Sequence, residues 1–176
     1  MGGVLMNDLT LYQKVRGQIG TGALVEWHAN SLLGDAIRLK TGYDVNHSSL
    51  AVILDSPYSG QRRIFVFEAL GDGIDVTFLS KKLEQWDGKA YLYLLKEQYA
   101  PEIPLIEERA FSYLGVPYDY EGLTRQLIGH CKIETDKLFC SEYVEVCLGG
   151  TPNDTAYWPG ELPEKMQKWT NRIPVL

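Results

Sequence analysis

Apolar and polar positions change period four times along the chain. Residues 5–16 predict a short leading helix, broken by Gly17-Gln18-Ile19-Gly20-Thr21-Gly22, and residues 23–27 then read as a strand. Leu32, Leu33, Ala36, Ile37 and Lys40 recur near helical spacing. With Asn30 or Ser31 as N-cap and Gly42 as the stop, residues 30–40 are expected to be helical. The period then shortens. Residues 48–54, 63–70, 73–79 and 90–95 are apolar runs of strand length. Asp55-Ser56-Pro57-Tyr58-Ser59-Gly60 and Gly71-Asp72-Gly73 are turn chemistry between the first three, and such short connections favour antiparallel neighbours.

Helical spacing returns in the second half. Ile103, Ile106, Ala110, Phe111 and Leu114 mark residues 101–114, ended by Gly115 and Pro117. Residues 120–128 form another helical stretch, stopped by Gly129. Residues 141–148 follow, closed by Gly149-Gly150 and Pro152, and then residues 161–169, with Pro163 tolerated in the first turn. Helices flanking a mainly antiparallel sheet define an α+β class.

Length and composition narrow this picture. The 176 residues show no repeat and no Pro/Ser/Gly-rich linker, so one domain over 1–176 is expected. Ordinary hydrophobic and charged fractions, 45% and 23%, exclude disordered and collagen-like classes. The net charge of −6 is spread without a basic tail or stripe, which argues against a nucleic-acid partner. Three cysteines, Cys131, Cys140 and Cys147, are too few and odd in number for a disulfide framework, and they fit a reducing compartment. No charged n-region precedes an apolar segment, no 18-residue apolar run occurs, and Met6 stands where a myristoylation pattern needs Ser or Thr. A cytoplasmic protein without a transmembrane segment is the expectation.

Three residues at element ends carry the candidate chemistry: His47, Glu68 and Cys140. If residues 55–62 form the loop of an antiparallel hairpin, His47 and Glu68 lie nearly opposite each other, close enough for an imidazole–carboxylate hydrogen bond. Cys140, Tyr143, Val144, Cys147 and Leu148 make an apolar stripe at helical spacing, which turns Cys140 toward the sheet from the first helical turn. A helix N-terminus favours thiolate, and a nearby imidazolium favours it further. Glu68 would hold the His47 ring, and the free N–H groups of the first turn would support a developing oxyanion.

The segments Ala110-Phe111-Ser112-Tyr113-Leu114-Gly115-Val116-Pro117-Tyr118 and Phe139-Cys140-Ser141-Glu142-Tyr143-Val144 resemble the nucleophile region of NlpC/P60 cysteine hydrolases. Here the histidine comes first, in Asn46-His47-Ser48-Ser49-Leu50-Ala51-Val52, followed by Val66-Phe67-Glu68-Ala69 and only then the cysteine. That order is similar to the permuted papain-like branch, and closest to its YiiX/YebB-like group, over Gly22 to about Pro152. The resemblance implies a circularly permuted papain-like fold with a core of about 20–152 and terminal helices packed on it. It also implies catalytic Cys140, His47 and Glu68 acting at an amide or ester carbonyl. One departure is Gly22-Ala23, where related sequences often carry Gly-Asp.

Simpler readings attach to the neighbouring residues. Cys131 and Cys147 read as structural thiols, and His28 and His130 as surface or capping residues. The adjacent pair His130-Cys131 cannot easily aim at one ion and has no CxxC or HxxxH partner, so neither a metal nor another cofactor is called for. Tyr118-Asp119-Tyr120 reads as a turn with packed tyrosines, with Tyr118 as a candidate substrate-binding residue. Gly71-Asp72-Gly73 is a hairpin turn, and Lys81-Lys82 a solvated pair. Glu68 differs: a carboxylate in an apolar strand needs a partner.

These features favour an amide hydrolase acting on a peptide or a cell-wall-derived fragment. The alternatives are a lipid-directed acyltransferase or lipase with the same triad, and a non-catalytic binding or virion-associated module. The lipid reading wants a membrane-facing segment, and residues 161–176 offer only a weak one. The expected partner is therefore a small-molecule, peptide or lipid acyl substrate. With no secretion signal, a cell-wall substrate would require lysis or phage delivery.

Overall fold

Cross-strand pairing gathers the apolar runs into one antiparallel sheet. The computed structural model describes residues 7–55, 58–129, 131–151 and 154–176. The strands are β1 (Leu24–Ala29), β2 (His47–Asp55), β3 (Arg62–Leu70), β4 (Gly73–Phe78), β5 (Gly88–Tyr93) and β6 (Ile173–Pro174), in the spatial order β4-β3-β2-β1-β5-β6. Every neighbouring pair is antiparallel. The helices are α1 (Thr10–Val15), α2 (Leu32–Thr41), α3 (Leu79–Gln85), α4 (Ile103–Ser112), α5 (Tyr120–Ile128), α6 (Cys140–Cys147) and α7 (Leu162–Met166). The class is α+β, as the sequence pattern implied.

Both faces of the sheet are buried, and this explains the uninterrupted apolar run of β2. Leu50 and Val52 of β2, with Phe67 and Ala69 of β3, face a core completed by Ile106 and Ala110 of α4 and Tyr143, Val144 and Cys147 of α6. Their alternates Ala51, Ile64 and Val66 join Val25 and Trp27 in a second core under Tyr12 of α1 and Leu79 and Leu83 of α3. A strand covered on both faces shows no polar alternation.

Local chemistry sets the element ends. The Ser31 hydroxyl accepts the Gly34 N–H at 3.0 Å and caps α2, which ends at Gly42 in the left-handed region (φ 75°). Asp119 caps α5 through the Gly122 N–H at 2.7 Å. Gly71-Asp72 forms the two-residue loop between Leu70 and Gly73, which pair across β3 and β4.

Several expectations are corrected. Residues 79–85, left without a helix by the sequence reading, form α3, because Leu79 and Leu83 bury one turn apart against the second core. The stretch 161–169 is shorter than expected: Gln167 adopts φ 54°, ending α7, and Trp169 bridges to Leu95 instead. Of the leading helix, the described part spans Thr10–Val15, and Leu5 and Met6 lie outside the described residues. So do Ser56 and Pro57 of the first turn, His130, Pro152 and the myristoylation position. Among the described residues no helix is long and apolar enough to cross a membrane.

Candidate active site

The three candidate residues converge where β1 ends, β2 begins and β3 ends. Asn46 fixes that corner. Its amide nitrogen donates to the Ala29 carbonyl at 2.8 Å, and its amide oxygen accepts the Ala29 N–H at 2.9 Å. This two-point latch ties the residue before His47 to the end of β1. Gly34 leaves room for it, since a Cβ there would meet the Asn46 side chain at 2.1 Å.

His47 begins β2 opposite Trp27. Its Nε2 lies 2.6 Å from Glu68 Oε2 on β3, and its ring stacks at 6.5 Å on Trp86. With Nε2 held by the carboxylate, Nδ1 is the ring nitrogen that can meet a thiol. Cys140 supplies it: the two side chains line one cleft and interact closely enough to shift each other's titration, and the Ser48 backbone N–H favours a charged sulfur.

Cys140 is the first residue of α6. The Glu142 side chain accepts the Phe139 N–H at 3.0 Å just before it, and α6 packs on β2, β3 and α4. The expected single apolar stripe is an underestimate, because all eight residues of α6 are buried. Ser141 donates to the Tyr157 carbonyl at 2.6 Å, and Glu145 accepts the Tyr157 N–H at 2.7 Å. The nucleophile candidate therefore sits on a helix fixed on every side.

Electrostatics separates the thiols. Burial opposes a charged Cys140, but the bond and charge of His47 and the Ser48 N–H outweigh it and hold the thiol below its ordinary value of 9.0. Burial likewise opposes a charged His47, yet Cys140 and then Glu68 raise it above 6.5. Cys131 and Cys147 lack such partners, and burial pushes both up to about 12. Both shifts run toward the thiolate–imidazolium form of the pair, the form suited to attack on a carbonyl.

Glu68 has a second partner that sequence reasoning missed. Lys82 of α3 forms a salt bridge to the same Oε2, and its side chain is only 10% exposed. The solvated reading of Lys81-Lys82 is wrong for Lys82. Its ammonium lies 4.6 Å from the Trp27 ring centroid and 4.9 Å from that of Trp86. The signal lay in the spacing Leu79–Lys82–Leu83, which turns Lys82 inward once residues 79–85 are helical. Burial raises the Glu68 carboxyl, but His47 and then Lys82 bring it below its usual value.

A cleft of about 260 Å³ opens onto Cys140 and His47, walled by Leu33, Ile37, Ala69, Trp86 and Tyr118. Tyr118 thus borders the cleft, its ring 4.8 Å from that of Tyr120. His28 lies apart, its Nδ1 at 2.7 Å from the Asp44 carbonyl oxygen.

No family model and no curated protein matches the chain. Its structure is similar to that of the metalloprotein YiiX from Escherichia coli O157:H7, with a TM-score of 0.58 and 24% identity. The match covers 74% of this chain and 64% of that one, and it is a likeness of fold. Among the described residues no group of three or more His, Cys, Asp or Glu is placed to hold a metal ion, and the cation against Glu68 is the Lys82 ammonium. These residues do not fit a metal centre.

Proposed function

We propose that this chain is a cysteine hydrolase of the permuted papain-like, NlpC/P60-related kind, cleaving amide bonds through Cys140, His47 and Glu68. One observation carries the reading: His47 is held at 2.6 Å by Glu68 and shares the wall of an open cleft with Cys140. The YiiX likeness, a match of fold, is consistent with it.

In the proposed cycle the Cys140 proton resides on His47, and the thiolate attacks the substrate carbonyl carbon. The N–H groups of the first turn of α6 have no intrahelical acceptor and are available to the oxyanion. The tetrahedral intermediate collapses by breaking the C–N bond, and the imidazolium gives its proton to the leaving amine. Water, deprotonated by His47, then attacks the thioester and releases the acid and the Cys140 thiol.

A second reading, acyl transfer or hydrolysis on a lipid, is favoured by α2. Leu32 and Leu39 are 91% and 89% exposed on the helix whose Leu33 and Ile37 line the cleft. Incubation with peptide mixtures and with lipid extracts, followed by intact-mass analysis, separates the two. A peptidyl adduct on Cys140 supports the amidase, and a fatty-acyl adduct supports the lipid enzyme. Adducts spread over all three cysteines, or found equally in C140A, would refute both.

A further inference from the structure

We propose that Lys82 is a positioning residue of this site, holding the Glu68 carboxylate against His47 and balancing its charge; this rests on the reading of Cys140 as an activated nucleophile. Lys82 and His47 bond the same oxygen, Glu68 Oε2, from opposite elements, α3 and β2. The carboxylate is thereby pinned at its shared corner, and the His47 ring inherits that orientation. The two adjoining indoles against which the ammonium lies return part of the stabilisation lost with its water.

The charge count gives Lys82 a role that packing alone does not. Thiolate, imidazolium, carboxylate and ammonium sum to zero, so the working state of the site is buried as a neutral quartet. A lysine elsewhere on α3 would not accomplish this: Lys81 borders the outer cleft with Asp75, which pairs with Glu68 across β3 and β4. Those two carry opposite charges and leave the balance to Lys82. Without Lys82 the remaining three groups carry a net negative charge, and both Cys140 and His47 hold their protons more tightly. Lys82 therefore sets the pH range in which the thiolate–imidazolium pair exists.

The rate of Cys140 alkylation by iodoacetamide, followed against pH, reads both titrations as two inflections. In K82M, whose unbranched apolar side chain packs against the same two indoles, both inflections move up by roughly one pH unit. In K82R they stay near the wild-type positions, because the charge is retained. Equal losses of reactivity in K82M and K82R without a displaced inflection would reduce Lys82 to a packing residue and overturn the proposal. A wild-type Cys140 without a depressed first inflection would instead sink the nucleophile reading itself, and the proposal with it. Should K82M not fold, wild-type protein labelled with ¹⁵N-lysine serves: the Lys82 ammonium resonance moves when Cys140 is carbamidomethylated. An unmoved resonance overturns the coupling.

Discussion

His47 Nε2 and Glu68 Oε2 lie 2.6 Å apart although the two residues are not opposite each other in the ladder. Leu50 pairs with Phe67, so the register continues with Glu68 opposite Ser49, two positions along from His47. The pair is diagonal and on one face, a separation of about 7–8 Å between Cα atoms that an imidazole and a carboxylate together span. The turn implied this register, with His47 and Glu68 near each other but offset along the ladder. The same-face parity, not direct opposition, makes the bond.

Cys140 is expected to dominate thiol chemistry. At pH 7 iodoacetamide should label it at least 100-fold faster than Cys131 or Cys147, whose thiols burial pushes to about 12. Peptide mapping of the labelled protein measures the ratio, and uniform labelling would contradict the assignment.

Removing the imidazole should leave burial as the main influence on the thiol. H47A is expected to raise the Cys140 titration above its ordinary value of 9.0, because burial is the opposing effect already present. Turnover should fall about 10²–10⁴-fold with loss of the general base. The pH dependence of alkylation checks the first statement, and an unshifted inflection would remove His47 from the pair.

Glu68 and Lys82 should behave as one buried pair. E68A strands the Lys82 ammonium and is expected to cost about 3–5 kcal/mol of stability, while E68A/K82M recovers most of that loss. Urea unfolding of the three proteins gives the coupling. Additive losses would mean that the pair is not shared in the folded state.

The Asn46 latch predicts a local effect. N46A leaves the Ala29 N–H without its side-chain acceptor, at a cost of about 1–3 kcal/mol. Hydrogen exchange should quicken at Ala29 first, and exchange confined to distant loops would argue against the latch.

Glu145 predicts how stability varies with pH. Burial raises its carboxyl from 4.5 to about 8, so across that interval the folded chain holds a proton the unfolded chain has released. Its contribution to stability therefore falls as pH rises from 4.5 toward 8, by up to about 1.4 kcal/mol per pH unit. Gln preserves the acceptor for the Tyr157 N–H and cannot ionise. E145Q should have a shallower decline in melting temperature between pH 5 and 8, and an identical slope would refute the assignment.

Sequence by itself determined what local physics encodes. Apolar runs of strand length placed β2 and β3, and Ser31, Gly42 and Gly129 marked helix ends through caps and chain reversal. The turn chemistry fixed the parity that sets His47 and Glu68 on one face, and the oddity of a carboxylate in an apolar strand demanded a partner. His47 was the partner its register offered, and tertiary structure added a second. The helix α3 is only seven residues long and has no side-chain cap, so little in its sequence announces it. It forms because Leu79 and Leu83 bury in the same core as Trp27 and Val66, a core that exists only once β1 and β3 are each paired with β2. That docking carries Lys82 out of water and onto Glu68, turning a surface charge by pattern into the fourth member of a buried quartet by packing.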